Sequence, residues 1–196
     1  MHFVVKKLFK KIILIIVSIG LVITIGLGVR EIVKNSNLKN QKILAEQIKM
    51  NLPIRFKLPS INVVSNFESV GLTPDGAMDV PKGPANVAWY NLGPIPGVVG
   101  SSVLAGHSGW KNGIPAVFDN LYKVKIGDKI YVENANGQVT TFIVKKKATY
   151  KPDADAYNVF NSSDGIAHLN LITCTGDWDK VNKVHSDRLV VFADKE

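Results

Sequence analysis

Lys129-Ile-Tyr-Val-Glu133 and Val139-Thr-Thr-Phe-Ile-Val-Lys145, separated by a turn containing Asn136-Gly137, read as the two strands of a β-hairpin. Branched and aromatic side chains dominate both runs, and these fit a pleated, half-buried surface. Asn-Gly is a strong hairpin signal because both residues tolerate the positive φ of a type I′ turn. The same grammar extends outward. Upstream, Pro59 to Val64 and Ser101 to Ala105 are short strand candidates, the second ending at Gly106. Downstream, His168 to Thr173, introduced by Asp164-Gly165, and Leu189 to Ala193 close the chain. Short helices are expected over Ala116 to Tyr122 and within Ala85 to Leu92. Roughly seven or eight short strands in about 140 residues predict a mainly β domain that closes, or nearly closes, into a barrel.

The chain of 196 residues accommodates one such domain and an appendage. Ile12 to Val29 is an uncharged, proline-free run of mostly Ile, Leu, Val and Gly behind Lys6, Lys7, Lys10 and Lys11. Its length is close to the ~20 apolar residues needed to span a ~30 Å hydrocarbon core, and the upstream lysines favour a cytoplasmic N-terminus. No Ala-x-Ala cleavage pattern follows, and Arg30 to Met50 continues as a polar, helix-permissive stalk. An uncleaved signal-anchor is therefore expected rather than a removed signal peptide. The organisation that follows is a basic cytoplasmic segment (1–11), a transmembrane helix (12–29), a stalk (30–51) and an extracellular domain (52–196) of a bacterial surface protein. Charge supports the division. Of the net +8, residues 1–30 contribute +5, so the rest holds 19 basic residues against 16 acidic ones. That near-balance removes the main argument for nucleic-acid binding, and Lys145, Lys146 and Lys147 follow a strand without aromatic interleaving, as a solvated face does.

Cys174 is the single cysteine, which excludes an internal disulfide, a multi-cysteine zinc site and a dithiol redox pair. Period-two geometry puts Leu169, Leu171 and Thr173 on one face of their strand and Asn170, Ile172 and Cys174 on the other. A cysteine attacks an acyl group as thiolate, and cationic neighbours favour that form. His107 follows one predicted strand and Arg188 opens another, so both could meet Cys174 at converging strand ends. His168 and His185 compete with His107, and Arg188 could instead pair with Asp187 or Asp179. A lone cysteine is also often a small buried apolar residue. Spacing alone does not choose among these.

Leu171-Ile-Thr-Cys174 followed by Arg188, with Ala105-Gly-His107 upstream, resembles the pattern of the sortases, cysteine transpeptidases of Gram-positive surfaces. Val70-Gly-Leu-Thr-Pro-Asp-Gly-Ala-Met-Asp-Val-Pro81, Val87-Ala-Trp-Tyr90, Pro96-Gly97 and Gly113 to Phe118 resemble the class F branch in particular. The likeness runs from Leu58 to Ala193. It implies an eight-stranded barrel in which Cys174 attacks the threonine carbonyl of a Leu-Pro-x-Thr-Gly-like sorting signal and forms a thioester. His107 would protonate the leaving amine and then accept a proton from the incoming one. Arg188 would orient substrate and stabilise the oxyanion, and Thr173 would line the substrate site. The acceptor would be an amine, such as that of a cell-wall precursor, and the catalytic face would lie outside the membrane. The resemblance implies no cofactor. No metal site is expected either, because the acids are scattered and form no Asp-x-Asp-x-Asp-Gly loop. One departure is Asn170, where many sortases have threonine. Two rivals are another extracellular cysteine acyl-transferase or peptidase and a catalytically silent anchored binding module. Against the first, Cys174 lies between two threonines rather than in a His-Gly-Cys context, and it follows His107 rather than preceding it as in papain-like enzymes.

Overall fold

The computed structural model describes residues 30, 31, 33–179, 181 and 184–196. The expected cytoplasmic segment and membrane span lie outside these residues. Two compact units are present, Met1–Lys49 and Met50–Glu196. Residues 33–51 form helix α1, along which Val33, Leu38 and Leu44 are exposed. Among the described residues no helix is long and apolar enough to cross a membrane.

The second unit is a closed barrel of eight strands. These are β1 (Pro53–Leu58), β2 (Val63–Val70), β3 (Val87–Tyr90), β4 (Gly100–Ala105), β5 (Lys129–Asn134), β6 (Val139–Tyr150), β7 (Ala167–Asp179) and β8 (Val184–Lys195). Around the barrel the order is β1-β2-β3-β4-β7-β8-β6-β5. β2–β3 and β4–β7 are parallel pairs, while the other neighbours run antiparallel. A parallel pair cannot be joined by a tight turn. The connections that cross over, 71–86 and 106–166, are therefore long enough to carry functional groups to the barrel's rim.

Alternate residues of each strand fill the interior. Phe56, Leu58, Leu104, Phe118, Ile130, Phe142, Leu169, Leu171 and Val191 are essentially inaccessible and form one core. Each such side chain contributes on the order of 1.5–3 kcal/mol by leaving water. Phe118 meets Phe56 edge to face at 5.8 Å. β4 is buried at all six positions because the short helix α2 (Tyr157–Phe160) packs on its outer face.

Several local expectations are corrected. Pro59 to Val64 is not a continuous strand. Pro59–Ile61 is a single 3-10 turn, and Asn62 takes φ 57° to reverse the chain between β1 and β2. Proline's fixed φ suits the start of such a turn, and its missing N–H removes a ladder donor. The helix expected within Ala85 to Leu92 is strand β3, whose Val-Ala-Trp-Tyr sequence is almost wholly buried. Within Ala116 to Tyr122 the chain forms turns and only begins the one-turn 3-10 helix Leu121–Lys123. The β5–β6 connection is not a two-residue I′ turn. Gly137 N–H donates to the Asn134 carbonyl at 2.9 Å, and of Asn136 and Gly137 only the glycine has positive φ, at 79°. That is the longer hairpin loop, in which one left-handed glycine follows an ordinary turn.

Candidate active site

Residues 105–107 and 172–174 run side by side where β4 ends, while β7 continues past Cys174 to Asp179 and β8 begins at Val184, so Cys174 and Arg188 lie within strands longer than the expected His168 to Thr173 and Leu189 to Ala193. Gly106 N–H donates to the Ile172 carbonyl at 3.0 Å, and the Thr173 hydroxyl donates to the Gly106 carbonyl at 2.7 Å. His107 and Cys174 each follow one member of this stapled pair. Position 106 has no room for a side chain. A Cβ there would come within 2.7 Å of Val117 Cγ1 and 2.8 Å of Phe118 Cε2. Beyond it, the His107 carbonyl accepts from Phe118 N–H at 2.9 Å. The Asp119 carboxylate then collects Gly109 N–H at 2.6 Å and Ala116 N–H at 2.9 Å, which ties down the turn after the histidine. The ring is fixed separately, with Nε2 lying 2.8 Å from the Pro81 carbonyl.

Arg188 approaches from the other side. It is the register partner of Cys174 across β7–β8 and of Tyr150 across β6–β8. Its Nη1 donates to the carbonyls of Asp187 at 2.9 Å and His185 at 3.1 Å, which orients the guanidinium. Asp187 pairs with Lys151 at 2.8 Å instead of claiming its neighbour. Lys151 is also the largest cause holding the Asp187 carboxyl below its usual range, with the Ser186 hydroxyl next. The strands accommodate this through a bulge between Thr175 and Trp178. Gly176 there has φ 78°, and a Cβ would collide with Ser186 Oγ and Asp187 Oδ2. Only glycine fits both demands.

Two clefts meet at Cys174. One, of about 420 Å³, is mainly apolar and is lined by His107, Cys174 and Arg188 together with Leu72, Met78, Val80, Tyr90, Ile172 and Val190. The other, of about 600 Å³, is walled by Trp110 and Trp178 and also contains His107, Cys174, Lys111 and His185. Trp110 packs on the His107 ring at 4.6 Å between centroids, and Trp178 packs on His185 at 5.0 Å.

This placement separates the candidate histidines. His107 borders both clefts with Cys174. His168 sits six residues before the cysteine on β7, roughly 20 Å away along the strand. There it is held by Asp194 at 2.7 Å and Asp164 at 3.0 Å. His185 reaches only the tryptophan-walled cleft and donates from Nδ1 to the Gly176 carbonyl at 3.2 Å. Thr173 borders the apolar cleft but is itself buried, with its hydroxyl committed to Gly106. Asn170, on the Cys174 side of β7 by alternation, is buried beneath α2 and donates its amide to the Val159 carbonyl at 2.6 Å. It anchors the wall carrying Val159 and Phe160 rather than entering the reaction centre. Among the described residues no group of three or more His, Cys, Asp or Glu is assembled to hold a metal.

Sequence reasoning did not single out Asp119, Pro81, Trp110 or Trp178. Pro81 acts through a main-chain carbonyl, which leaves no residue-type signal. The two tryptophans carry one that could have been weighed, since each lies within four residues of a candidate catalytic side chain.

The sequence pattern of the sortase domain matches residues 56–196. This chain belongs to the sortase family. Among solved structures, sortase C-1 from Actinomyces oris is similar at 27% identity, with 72% of each chain covered and a TM-score of 0.57. A lid mutant of sortase A from Corynebacterium diphtheriae is similar at 24% identity over 72% of this chain and 68% of that one, with a TM-score of 0.58. Sortase C of Streptococcus pneumoniae is similar at 23% identity over 74% and 68%, with a TM-score of 0.55. No curated protein matches. The protein is thus a sortase-type cysteine transpeptidase. Its sortase barrel supplies the rim on which Cys174, His107 and Arg188 meet.

Proposed function

We propose that this sortase cleaves a Leu-Pro-x-Thr-Gly-like sorting signal after threonine and transfers the acyl group to an amine acceptor of the cell wall. The observation that carries the reading is the position of the chain's one cysteine, at the junction of two clefts with His107 and Arg188 as neighbours. In this reading the Cys174 thiolate attacks the threonine carbonyl carbon, and the carbonyl π electrons move to oxygen. Arg188 faces that developing charge. Two of the five guanidinium N–H groups are engaged by the carbonyls of Asp187 and His185, which leaves three in a fixed fork for the oxyanion. Collapse of the intermediate breaks the Thr–Gly C–N bond, and the His107 imidazolium gives its proton to the departing glycine amine. A thioester remains. The acceptor amine then attacks it, loses a proton to His107 and expels the thiolate.

The two clefts suit two substrates. The apolar one matches the leucine and proline side chains of a sorting signal. The one walled by Trp110 and Trp178 also reaches Cys174 and suits the acceptor, whose amine in its ammonium form is attracted to indole faces. The class F assignment is supported by where its motifs fall. Val70 to Pro81 runs from the end of β2 into the connection that lines the apolar cleft, and Gly113 to Phe118 packs behind His107. Anchoring through 12–29, with the domain outside the cell, is supported by the lysine-flanked apolar run and places the enzyme where wall precursors are found.

The test is product analysis by mass spectrometry with a Leu-Pro-x-Thr-Gly peptide and a small primary amine. Scission between Thr and Gly, with the amine joined to Thr, is the expected outcome. Cleavage at another bond, or an unchanged peptide at every amine concentration, would contradict the reading.

A further inference from the structure

The histidine is tied to a carboxylate that lines neither cleft. His107 Nε2 lies 2.8 Å from the Pro81 carbonyl, and a carbonyl only accepts, so this nitrogen carries a hydrogen. The Pro81 C=O and the Lys82 N–H belong to one planar peptide group and point in opposite directions. That N–H donates to Glu68 Oε2 at 3.0 Å, and Glu68 Oε1 accepts from Asn86 Nδ2 at 2.9 Å. Carboxylate, peptide and imidazole therefore stand in line. We propose that Glu68 is a positioning residue for His107, acting through the Pro81–Lys82 peptide group; this rests on the reading of His107 as the proton-transfer residue.

Three observations support it. Glu68 projects from β2, a strand of the closed barrel, so its backbone is rigid while the peptide it holds lies in the 71–86 connection. That connection is pinned at two further points beyond Pro81. The Ala85 carbonyl accepts from the Ser65 hydroxyl at 2.9 Å, and the Pro84 carbonyl accepts from Val117 N–H at 2.8 Å. Neither bond fixes the rotation of the 81–82 peptide plane, which the Glu68 bond does. The carboxylate is also held ionised. The Lys82 N–H is the largest cause drawing it below the usual range, and it outweighs burial with help from Asn86, the Lys82 ammonium and His107. An anion on the N–H side polarises the peptide and makes its carbonyl a stronger acceptor. The result is one neutral tautomer, with hydrogen on Nε2 and the lone pair on Nδ1, and a ring held at one angle. An orienting acceptor on one ring nitrogen is how a histidine base is commonly set for its task, and here a peptide group carries the carboxylate's influence across.

The experiment uses the full chain labelled with ¹⁵N-histidine. Glu68→Gln keeps the shape and one acceptor oxygen, so the connection remains anchored while the charge is lost. In wild type at a pH where the ring is neutral, the His107 signals should be those of a protonated Nε2 and an unprotonated Nδ1. Glu68→Gln should move both toward tautomer averaging and lower kcat about tenfold with little change in KM, as loss of an orienting interaction does. Asn86→Ala, which leaves the Glu68–Lys82 bond in place, should change neither reading appreciably. Unmoved ring signals in Glu68→Gln would overturn the proposal, whatever happens to turnover. So would an Asn86→Ala loss as large as that of Glu68→Gln. Failure of the underlying reading has a separate signature, namely full turnover in His107→Ala.

Discussion

Replacing Gly106 by alanine adds one methyl group at the tightest point of the site. Phe118 Cδ2 would be the atom nearest the new Cβ, and Cε2 of the same ring would lie 2.8 Å away against an ordinary contact of 3.4 Å or more, so the ring must retreat by more than about 0.6 Å. Val117 Cγ1, at 2.7 Å, must move as well. Phe118 has nowhere open to go, since it is 1% exposed and packed edge-on against Phe56. Overpacking a filled core in this way costs about 1–3 kcal/mol. In a domain of this size that corresponds to a fall in Tm of about 3–9 °C. The effect on turnover should be larger than this implies. Phe118 N–H holds the His107 carbonyl, so displacement of the phenylalanine displaces the histidine. A misplacement approaching 1 Å costs on the order of 100-fold in rate. Scanning calorimetry together with peptide turnover, measured well below both melting temperatures, separates the two effects. A Gly106→Ala variant that melts within about 1 °C of wild type and turns over normally would refute the packing argument, because the stated cost is several times that shift.

Other perturbations probe separate parts of the site. Thr173→Val keeps the shape but strands the buried Gly106 carbonyl, so a loss of about 1–3 kcal/mol in urea denaturation is expected, whereas Thr173→Ser should lose much less; equal stability of the two would show that the hydroxyl is not the staple. Arg188→Lys removes the planar fork while keeping a positive charge, so kcat should drop by about 100-fold or more, and unchanged turnover would count against the oxyanion role. For His168, burial favours the neutral ring, but the bonds to Asp194 and Asp164 outweigh it and raise the folded-state pKa. Asp164 remains ionised well into acid, its carboxyl drawn down to about 2 first by the Ile166 N–H and then by Ser162 and His168. A raised folded pKa means that the contribution is fully present below the unfolded histidine value and fades as pH rises through the folded one. The stability gap between wild type and His168→Gln should therefore be widest near about pH 5.5 and narrow toward about pH 9; a gap independent of pH would contradict the ion-pair assignment.

What could be read from the chain, and what could not, divides along physical lines. Alternation in Leu169 to Cys174 gave the correct faces, because one side of β7 fills the barrel and a slip of one residue would expose Leu169 and Leu171. The places of Cys174, His107 and Arg188 beside the ends of apolar runs were legible for the same reason, although β7 continues to Asp179 and β8 starts at Val184, so that only His107 lies at a strand end. Their convergence was not, because it depends on the parallel β4–β7 pairing across a connection of some 60 residues, and no local pattern encodes such a pairing. Asn170, a departure from the commoner threonine with no role assigned by the sequence, is a buried anchor for α2, a role that exists only once the helix has packed. Pro59 was read as a strand residue when its rigidity serves a turn. The Pro81 carbonyl, which holds the histidine, is main chain and has no signature in side-chain identity.

The most direct test of the central claim is intact-mass spectrometry of the full chain incubated with a Leu-Pro-x-Thr-Gly peptide and no added amine, beside Cys174→Ala. The account predicts a mass increase equal to the peptide's acyl portion through threonine on wild type, absent from the variant and discharged when an amine is added. An adduct that persists in Cys174→Ala, or a wild-type thiol that takes neither peptide nor a small alkylating agent, would contradict it.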